Sequence, residues 1–202
     1  MSMKNESTQA FIQWLMGLQE RKGTGAPMRP DKAPGVLADL RRGLSSATEY
    51  YAWPHLVRWC DLDDNRQRII YATVAGCFAL HPENTSEGNL GTTLRRIAIQ
   101  RGSSEDALKV YKSRLFRLIG CSTALELCSH LRSVVQLARS AAIPINYHQL
   151  LKDLLHWDRK ARRIRLRWAA EFWRTHPGEF ETIAEDSSKE QQTHQTEMKE
   201  QP

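Results

Sequence analysis

The chain has 202 residues, 41% of them hydrophobic, which is enough to bury one sizeable helical core or two small ones. It contains no apolar run long enough to span a bilayer, and its first residues lack the basic-then-apolar order of a signal peptide. We therefore expect a cytoplasmic protein that has no membrane partner.

Charge is spread unevenly along the chain. Residues 178–202 contain seven acidic residues and two lysines, a net charge of −5, whereas the whole chain carries +6. The other 177 residues therefore carry +11, mostly as arginine. Guanidinium groups match phosphate oxygens and release condensed counterions, so this excess predicts a polyanionic partner. A solvated basic surface is the alternative that charge alone leaves open.

Apolar residues recur at steps of three and four along most of the chain, which predicts an all-α protein with about nine helices in two helical sub-bundles and no sheet. A first helix is predicted over about 7–22, and further helical segments over 36–44, 50–60 and 65–82. Together these segments form a predicted N-terminal helical sub-domain, residues 1–82.

The turn-rich segment 82–91 marks the predicted domain boundary. Helices are predicted to follow the caps Ser103-x-x-Asp106, Thr123-x-x-Glu126 and Asn146-x-x-Gln149, with a break at Ile143-Pro144. Residues 83–177 then form a C-terminal helical sub-domain with a basic last helix. The Gln-rich, acidic residues 178–202 are predicted to be a disordered tail.

The sequence contains none of the common catalytic or nucleotide-binding motifs. The nearest approach to a metal site is Cys121, Cys128 and His130, whose spacing on a helix is expected to place them on different faces. We therefore predict no catalytic residue, no metal site and no cofactor, and not an enzyme. The four cysteines lie in apolar helical stretches, which is typical of small buried side chains that form no disulfide.

The last helix has two contrasting faces. Trp157, Ala161, Ile164, Trp168 and Phe172 recur at helical spacing and are predicted to face the core, although tryptophans can also stack on unpaired bases. The opposite face is predicted to carry a stripe of like charges, flanked by Arg162 and Arg165, which favours a neutralising partner. That stripe consists of Arg159, Arg163, Arg167 and Arg174.

Two further arginine pairs, Arg41-Arg42 and Arg95-Arg96, follow leucines that are predicted to bury their helices while the guanidiniums face outward. Gly88 and Gly91 precede the second pair. Such a turn can present N–H groups to a phosphate, but it usually serves only as a helix cap.

Several segments, taken in order, resemble the CasB family, the small subunit of the type I-E CRISPR Cascade complex. The most specific is the Ile143-Pro144-Ile145-Asn146-Tyr147 break followed by a Leu-rich helix and Trp157. The matching stretches are LRRGL at 40–44, FALHP at 78–82, GNLGTTLRRIA at 88–98, RLFRLIG at 114–120, HLRSVVQLARSAAIPINYHQLLKDLLHW at 130–157 and RLRWAAEFW at 165–173.

The resemblance implies a non-catalytic, all-helical subunit of an antiviral ribonucleoprotein, with other Cascade subunits, guide RNA, target DNA and a second copy of itself as partners. Its basic surface would hold DNA strands by backbone contacts, without sequence specificity, once the guide RNA has opened the duplex. The residues that the resemblance assigns to nucleic-acid binding are Arg41, Arg42, Arg95, Arg96, Arg114, Arg132 and Lys152, whereas Arg159, Arg163 and Arg167 rest mainly on the helical stripe.

Two other classes of protein remain open at this stage. A free-standing DNA-binding regulator would insert one basic helix into the major groove, but the basic residues here are dispersed over at least three predicted helices. A protein-interaction scaffold would use its arginines against acidic protein surfaces and would bind naked nucleic acid poorly. An enzyme is the class that the sequence favours least.

Overall fold

The structure is a computed structural model that describes residues 2–20, 33–102 and 105–174. These ranges contain eight α-helices, one short 3-10 helix and no strand, which confirms the predicted all-α class. The predicted cap at Ser103 and the predicted disordered tail, residues 178–202, lie outside the described residues. The helices are α1 (Ser2–Glu20), α2 (Ala33–Arg42), the 3-10 helix Glu49–Tyr51, α3 (Trp53–Leu56), α4 (Asn65–Leu80), α5 (Leu90–Arg101), α6 (Glu105–Gly120), α7 (Ala124–Ser140) and α8 (Tyr147–Trp173).

Helix α4 lies at the centre of the fold, between α2 and α7. Residues 70–79 of α4 are all buried, because small and apolar side chains cover every side of the helix. Gly76 allows the close approach of α2, since a Cβ there would lie 2.8 Å from the carbonyl oxygen of Leu40. Asp64 caps the start of α4 by accepting hydrogen bonds from the N–H groups of Arg66 and Gln67.

Helix α1 covers one side of α4 with an aromatic cluster. The ring of Phe11 lies 4.9 Å from the ring of Tyr71 and 5.4 Å from that of Trp59, both in edge-to-face geometry. Phe11 and Leu15 are fully buried. The predicted first helix is therefore an integral part of the core.

Two irregular segments run side by side between the helices. Asn84 and Ile145 form an isolated parallel bridge, in which Thr85 N–H donates to the carbonyl of Ile145 and Ile145 N–H donates to that of Glu83. The segment 82–91 is therefore bonded to the break that precedes α8. The described residues up to Phe172 group into one compact unit. The division into sub-domains at residue 82 stays a prediction.

Three helix starts show the capping chemistry of their sequences. Asn89 caps α5 in a capping box with Thr92, so the turn at Gly88–Gly91 uses its N–H groups internally as a cap. The predicted Thr123 and Asn146 caps are present, since their side chains accept from the N–H groups of Glu126 and Gln149. The Glu126 side chain accepts from Ser122 N–H instead of closing the box on Thr123.

All four cysteines are buried, as the sequence predicted. Burial raises the pKa of each thiol, to about 11 for Cys60 and to about 12 for Cys128. Within the described ranges, each helix is too short or too polar to cross a membrane.

Candidate nucleic-acid interface

Helix α8 is sharply bent at Lys160, whose backbone angles (φ −132°, ψ 21°) are not helical. The Trp168 indole N–H donates to the Asp153 carboxylate over 2.7 Å, although the two residues are 15 positions apart. In a straight helix that separation would be about 22 Å along the axis. The bend therefore folds the segments 147–159 and 161–173 towards each other.

A buried carboxylate joins the two segments inside the bend. The side chain of Asp153 is only 3% exposed and accepts hydrogen bonds from Gln149, Trp168 and the guanidinium of Arg167. A buried carboxylate is strongly destabilising unless such donors satisfy it. Arg167, which was predicted to bind nucleic acid, is therefore committed to an internal ion pair, although 42% of its side chain remains exposed.

The outer side of the bend carries a compact group of cations. Four exposed basic side chains surround an open depression of about 410 Å³, together with Ala161 and Leu166. We call these four residues the basic bend; they are Arg159, Lys160, Arg162 and Arg163. The predicted straight stripe is thus interrupted at Lys160, and only Arg159 and Arg163 of its members line this depression.

No carboxylate among the described residues pairs with any member of the basic bend. The adjacent acid, Asp158, accepts instead from the Arg66 guanidinium at 2.6 Å and from the Ala124 N–H at 2.8 Å. Burial alone would raise the pKa of Asp158, but these hydrogen bonds outweigh it and lower the pKa. Asp158 is therefore ionised and engaged elsewhere, so the charge of the basic bend is available to an external anion.

Arg165 belongs to the interior and not to this surface. Its guanidinium donates to the carbonyl of Cys121 at 2.6 Å and lies 5.5 Å from the centre of the Trp157 ring. Two of the six basic residues in 159–167 are thus used inside the fold.

The two arginine pairs have divided roles. Arg41 donates from Nε to the carbonyl of Ala79 at the end of α4, and Arg95 donates to the carbonyl of Phe172 near the end of α8. The ion pairs of Arg42 with Asp39 and of Arg96 with Glu87 are long, at 3.4 Å, and Arg42 also lies over the ring of Tyr51. Arg42 and Arg96 are therefore the more available members for external binding.

The other predicted binding residues lie on separate helices. Arg132 is exposed on α7 and Lys152 half-buried on α8, and neither side chain has a hydrogen-bond or ion-pair partner among the described residues. Arg114 is half-buried on α6 with an unpartnered Nε. Lys160 and Arg162, which complete the basic bend, were missed as site residues because a straight stripe excludes them.

Most tryptophans serve the core, as predicted. Trp157 and Trp168 are fully buried, with ring centres 5.2 Å apart across the bend. Trp14 and Trp59 are half-buried, whereas Trp173 and Trp53 are exposed, the latter close in sequence to two exposed tyrosines. That exposed aromatic group was missed, although the run EYYAW at 49–53 is a visible signal for it.

One expectation about cysteine geometry was wrong. The sequence placed Cys121 and His130 on different faces, but their side chains lie with that of Glu126 so that the three potential ligand atoms are within 4.8 Å of one another. The reason is that Cys121 precedes α7 and is not part of it. Glu126 already accepts from Ser122 N–H, and the Cys121 thiol donates to the carbonyl of Arg117. The absence of a metal site stays a prediction.

Fold and surface together define a small basic helical protein with a buried core and a cationic bend in α8. A family model described as CRISPR-associated protein Cse2 matches residues 36–173, which is more than half of the chain. The chain belongs to this family of structural CRISPR-associated subunits.

Solved structures agree with this assignment. A Cse2-family protein from Thermus thermophilus is similar at a TM-score of 0.62 and 24% identity, covering 82% of this chain and 97% of that one. CasB from M. ruber is similar at a TM-score of 0.59 and 26% identity, covering 90% and 97%. CasB from Thermobifida fusca shares the fold at a TM-score of 0.59 and 23% identity, covering 82% and 97%. A search of curated proteins finds no match.

Proposed function

We propose that this chain is a non-catalytic small subunit of the type I-E Cascade complex that binds nucleic-acid backbone without sequence specificity. In this role it stabilises target DNA strands in the R-loop, the state in which guide RNA has paired with one strand and displaced the other. The proposed partners are target DNA, guide RNA, the other Cascade subunits and a second copy of the chain.

The basic bend is the observation that carries this proposal. Four exposed cations lie around one depression with no carboxylate partner among the described residues. Like charges held this close repel one another, and a phosphate backbone relieves that repulsion while releasing its own counterions. Contacts of this kind position a strand but do not read its sequence.

The energetics of guide-directed binding suit such a surface. Exchange of a DNA duplex for an RNA–DNA hybrid is nearly balanced, so modest protein contacts to the backbone can shift it towards the open state. The candidates for additional contacts are Arg42, Arg96, Arg114, Arg132 and Lys152. Arg41, Arg95 and Arg167 are proposed to act mainly within the fold, since each has an internal acceptor.

The two other classes of function are less well supported. A regulator with one recognition helix needs its base-reading side chains along a straight helix, whereas α8 is bent at the centre of its basic segment. A scaffold for acidic proteins predicts no affinity for naked nucleic acid, which the following experiment measures directly.

Fluorescence anisotropy of labelled single-stranded DNA, duplex DNA and RNA across a salt series tests the proposal. We expect weak, sequence-independent binding by the full chain that decreases with salt. The double substitution Arg159→Glu and Arg163→Glu should flatten the salt dependence by about 0.7–0.9 units of log K per log salt for each lost phosphate contact. A matched control, Lys112→Glu with Arg139→Glu, changes the same charge at exposed positions of α6 and α7.

If the two double variants lose affinity and salt dependence equally, then net charge, and not the basic bend, determines binding. If the wild-type chain binds none of the three probes yet co-purifies with a guide-RNA complex, the basic bend is a subunit interface and the backbone-binding role is wrong.

A further inference from the structure

A second surface combines exposed aromatic rings with a cation. Tyr50 and Tyr51, on the 3-10 helix, are 51% and 38% exposed, and their rings stack at 4.4 Å with 29° between the planes. The guanidinium of Arg42 lies 4.5 Å from the centre of the Tyr51 ring, and its side chain is 53% exposed. We call Arg42, Tyr50 and Tyr51 the tyrosine platform.

The platform is held in place by its backbone. Thr48 donates from its hydroxyl to the carbonyl of Arg42 at 2.8 Å, and Ala52 N–H donates to the carbonyl of Glu49 at 2.9 Å. Ala52 is fully buried against Gly43, where a Cβ would lie only 2.9 Å from that of Ala52. The segment 48–52 is therefore fixed to the core through its backbone and Ala52, while the rings of Tyr50 and Tyr51 face outward.

The charge around the platform favours an anion. The nearest carboxylate in sequence, Glu49, accepts from the Arg68 guanidinium at 2.7 Å and from the Trp53 indole at 3.2 Å, and its side chain is only 15% exposed. Its charge is thus compensated within the fold. Arg42 contacts Asp39 only at 3.4 Å, so it can turn towards a phosphate beside the rings.

Flat exposed rings beside an arginine match the chemistry of an unpaired nucleotide. A base offers a face that stacks on an aromatic side chain whatever its sequence, while the adjoining phosphate binds the guanidinium. In a duplex those faces are already covered by neighbouring base pairs, so such a surface discriminates in favour of single strands. Exposed aromatic rings can also bind a protein partner. Here the charge of Glu49 is compensated and Arg42 is exposed, which favours a polyanion.

We propose that the exposed ring of Tyr50, supported by the stacked ring of Tyr51, stacks on unpaired bases of single-stranded nucleic acid while Arg42 binds the adjoining phosphate. This inference rests on the proposed function. The basic bend would supply the affinity for the nucleic-acid backbone, and the tyrosine platform would add the preference for unpaired strands.

An abasic oligonucleotide separates stacking from backbone binding, because it keeps the sugar-phosphate chain and lacks the bases. Anisotropy is measured with labelled oligo-dT, an abasic strand of equal length and a duplex. We expect the wild-type chain to bind oligo-dT at least about fivefold more tightly than the abasic strand, the lower end of what base stacking contributes. In the double variant Tyr50→Ala and Tyr51→Ala that preference should vanish with an unchanged salt dependence, since no charge is lost.

Two controls accompany the experiment. The double variant Tyr50→Phe and Tyr51→Phe keeps both rings and should keep the preference for oligo-dT. Phe116→Ala removes an equally exposed ring from α6 and should also leave the preference intact. Circular dichroism confirms that each variant is folded.

The outcomes distinguish this inference from the proposed function. If the alanine double variant retains the wild-type preference, or if the wild type has none, the platform does not stack on bases, while salt-dependent binding lost in the basic-bend variant still supports the backbone role. If the wild-type chain binds no strand in a salt-dependent manner, both proposals are wrong.

Discussion

Arg163 and Arg167 lie one helical turn apart on α8 and carry the same charge, but their surroundings differ. Arg167 forms an ion pair with the buried carboxylate of Asp153, whereas Arg163 lines the depression of the basic bend and has no acid partner among the described residues. Residue type and spacing predicted one role for both. The two roles differ because Asp153, 14 positions before Arg167 in α8, lies within reach of Arg167.

This difference predicts that two alanine substitutions affect different properties of the protein, Arg167→Ala its stability and Arg163→Ala its binding of nucleic acid. Arg167→Ala leaves the Asp153 carboxylate without its cationic donor, so we expect a loss of about 1–3 kcal/mol in the free energy of unfolding, moderated by the partial exposure of the pair. Arg163→Ala should change it by less than about 0.5 kcal/mol and should weaken nucleic-acid binding instead.

Urea unfolding followed by circular dichroism, together with the anisotropy series, measures both quantities on each variant. Equal stability losses in the two variants would contradict the structural role assigned to Arg167.

At the level of elements, periodicity predicted the inward face of α8 but not its bend. Trp157, Ile164, Trp168 and Phe172 are buried, as their spacing indicated, whereas Ala161, beside the bend, is half-buried and lines the depression. The bend at Lys160 carries no proline or glycine, the usual sequence signals for a kink. It is accompanied by hydrogen bonds from Arg167 and Trp168 to Asp153, 14 and 15 positions away, which a local pattern cannot reveal. The sequence therefore predicted a straight stripe of arginines, whereas the structure interrupts that stripe at Lys160.

The crossing of α5 and α8 depends on Gly91. A Cβ at this position would lie 2.0 Å from the carbonyl oxygen of Trp168, which is backbone and cannot rotate away. We expect Gly91→Ala to force the helices apart and to cost at least about 2 kcal/mol of stability.

Thermal and urea unfolding of Gly91→Ala measure this cost. Gly17→Ala is the matched control, since its Cβ meets nothing within 4 Å and alanine favours the interior of α1. A neutral Gly91→Ala variant would mean that the two helices are not in such close contact.

For the molecule as a whole, the buried thiols make stability sensitive to alkaline pH. Burial raises the pKa of Cys128 from 9.0 to about 12, so the folded protein keeps a proton that the unfolded chain loses above pH 9.0. The unfolded state therefore binds fewer protons, and stability falls as pH rises through this window. Between pH 8 and pH 10 we expect the wild type to lose about 1.4 kcal/mol more than Cys128→Ala.

Urea unfolding of both proteins at the two pH values gives this difference directly. The comparison with Cys128→Ala removes the contributions of lysines and tyrosines that also titrate there. Parallel losses in the two proteins would show that the thiol is not protected in the folded state.

The bend in α8 also limits what a single molecule can do. Because it gathers four cations at one end of a folded-back helix instead of spreading them along a straight one, the basic bend can meet at most about four phosphates. We therefore expect one isolated chain to bind briefly and with low affinity. Lasting retention of a strand would then come from avidity. Neighbouring subunits of one assembly would hold several such short binding surfaces close together, so that each acts at a high effective concentration.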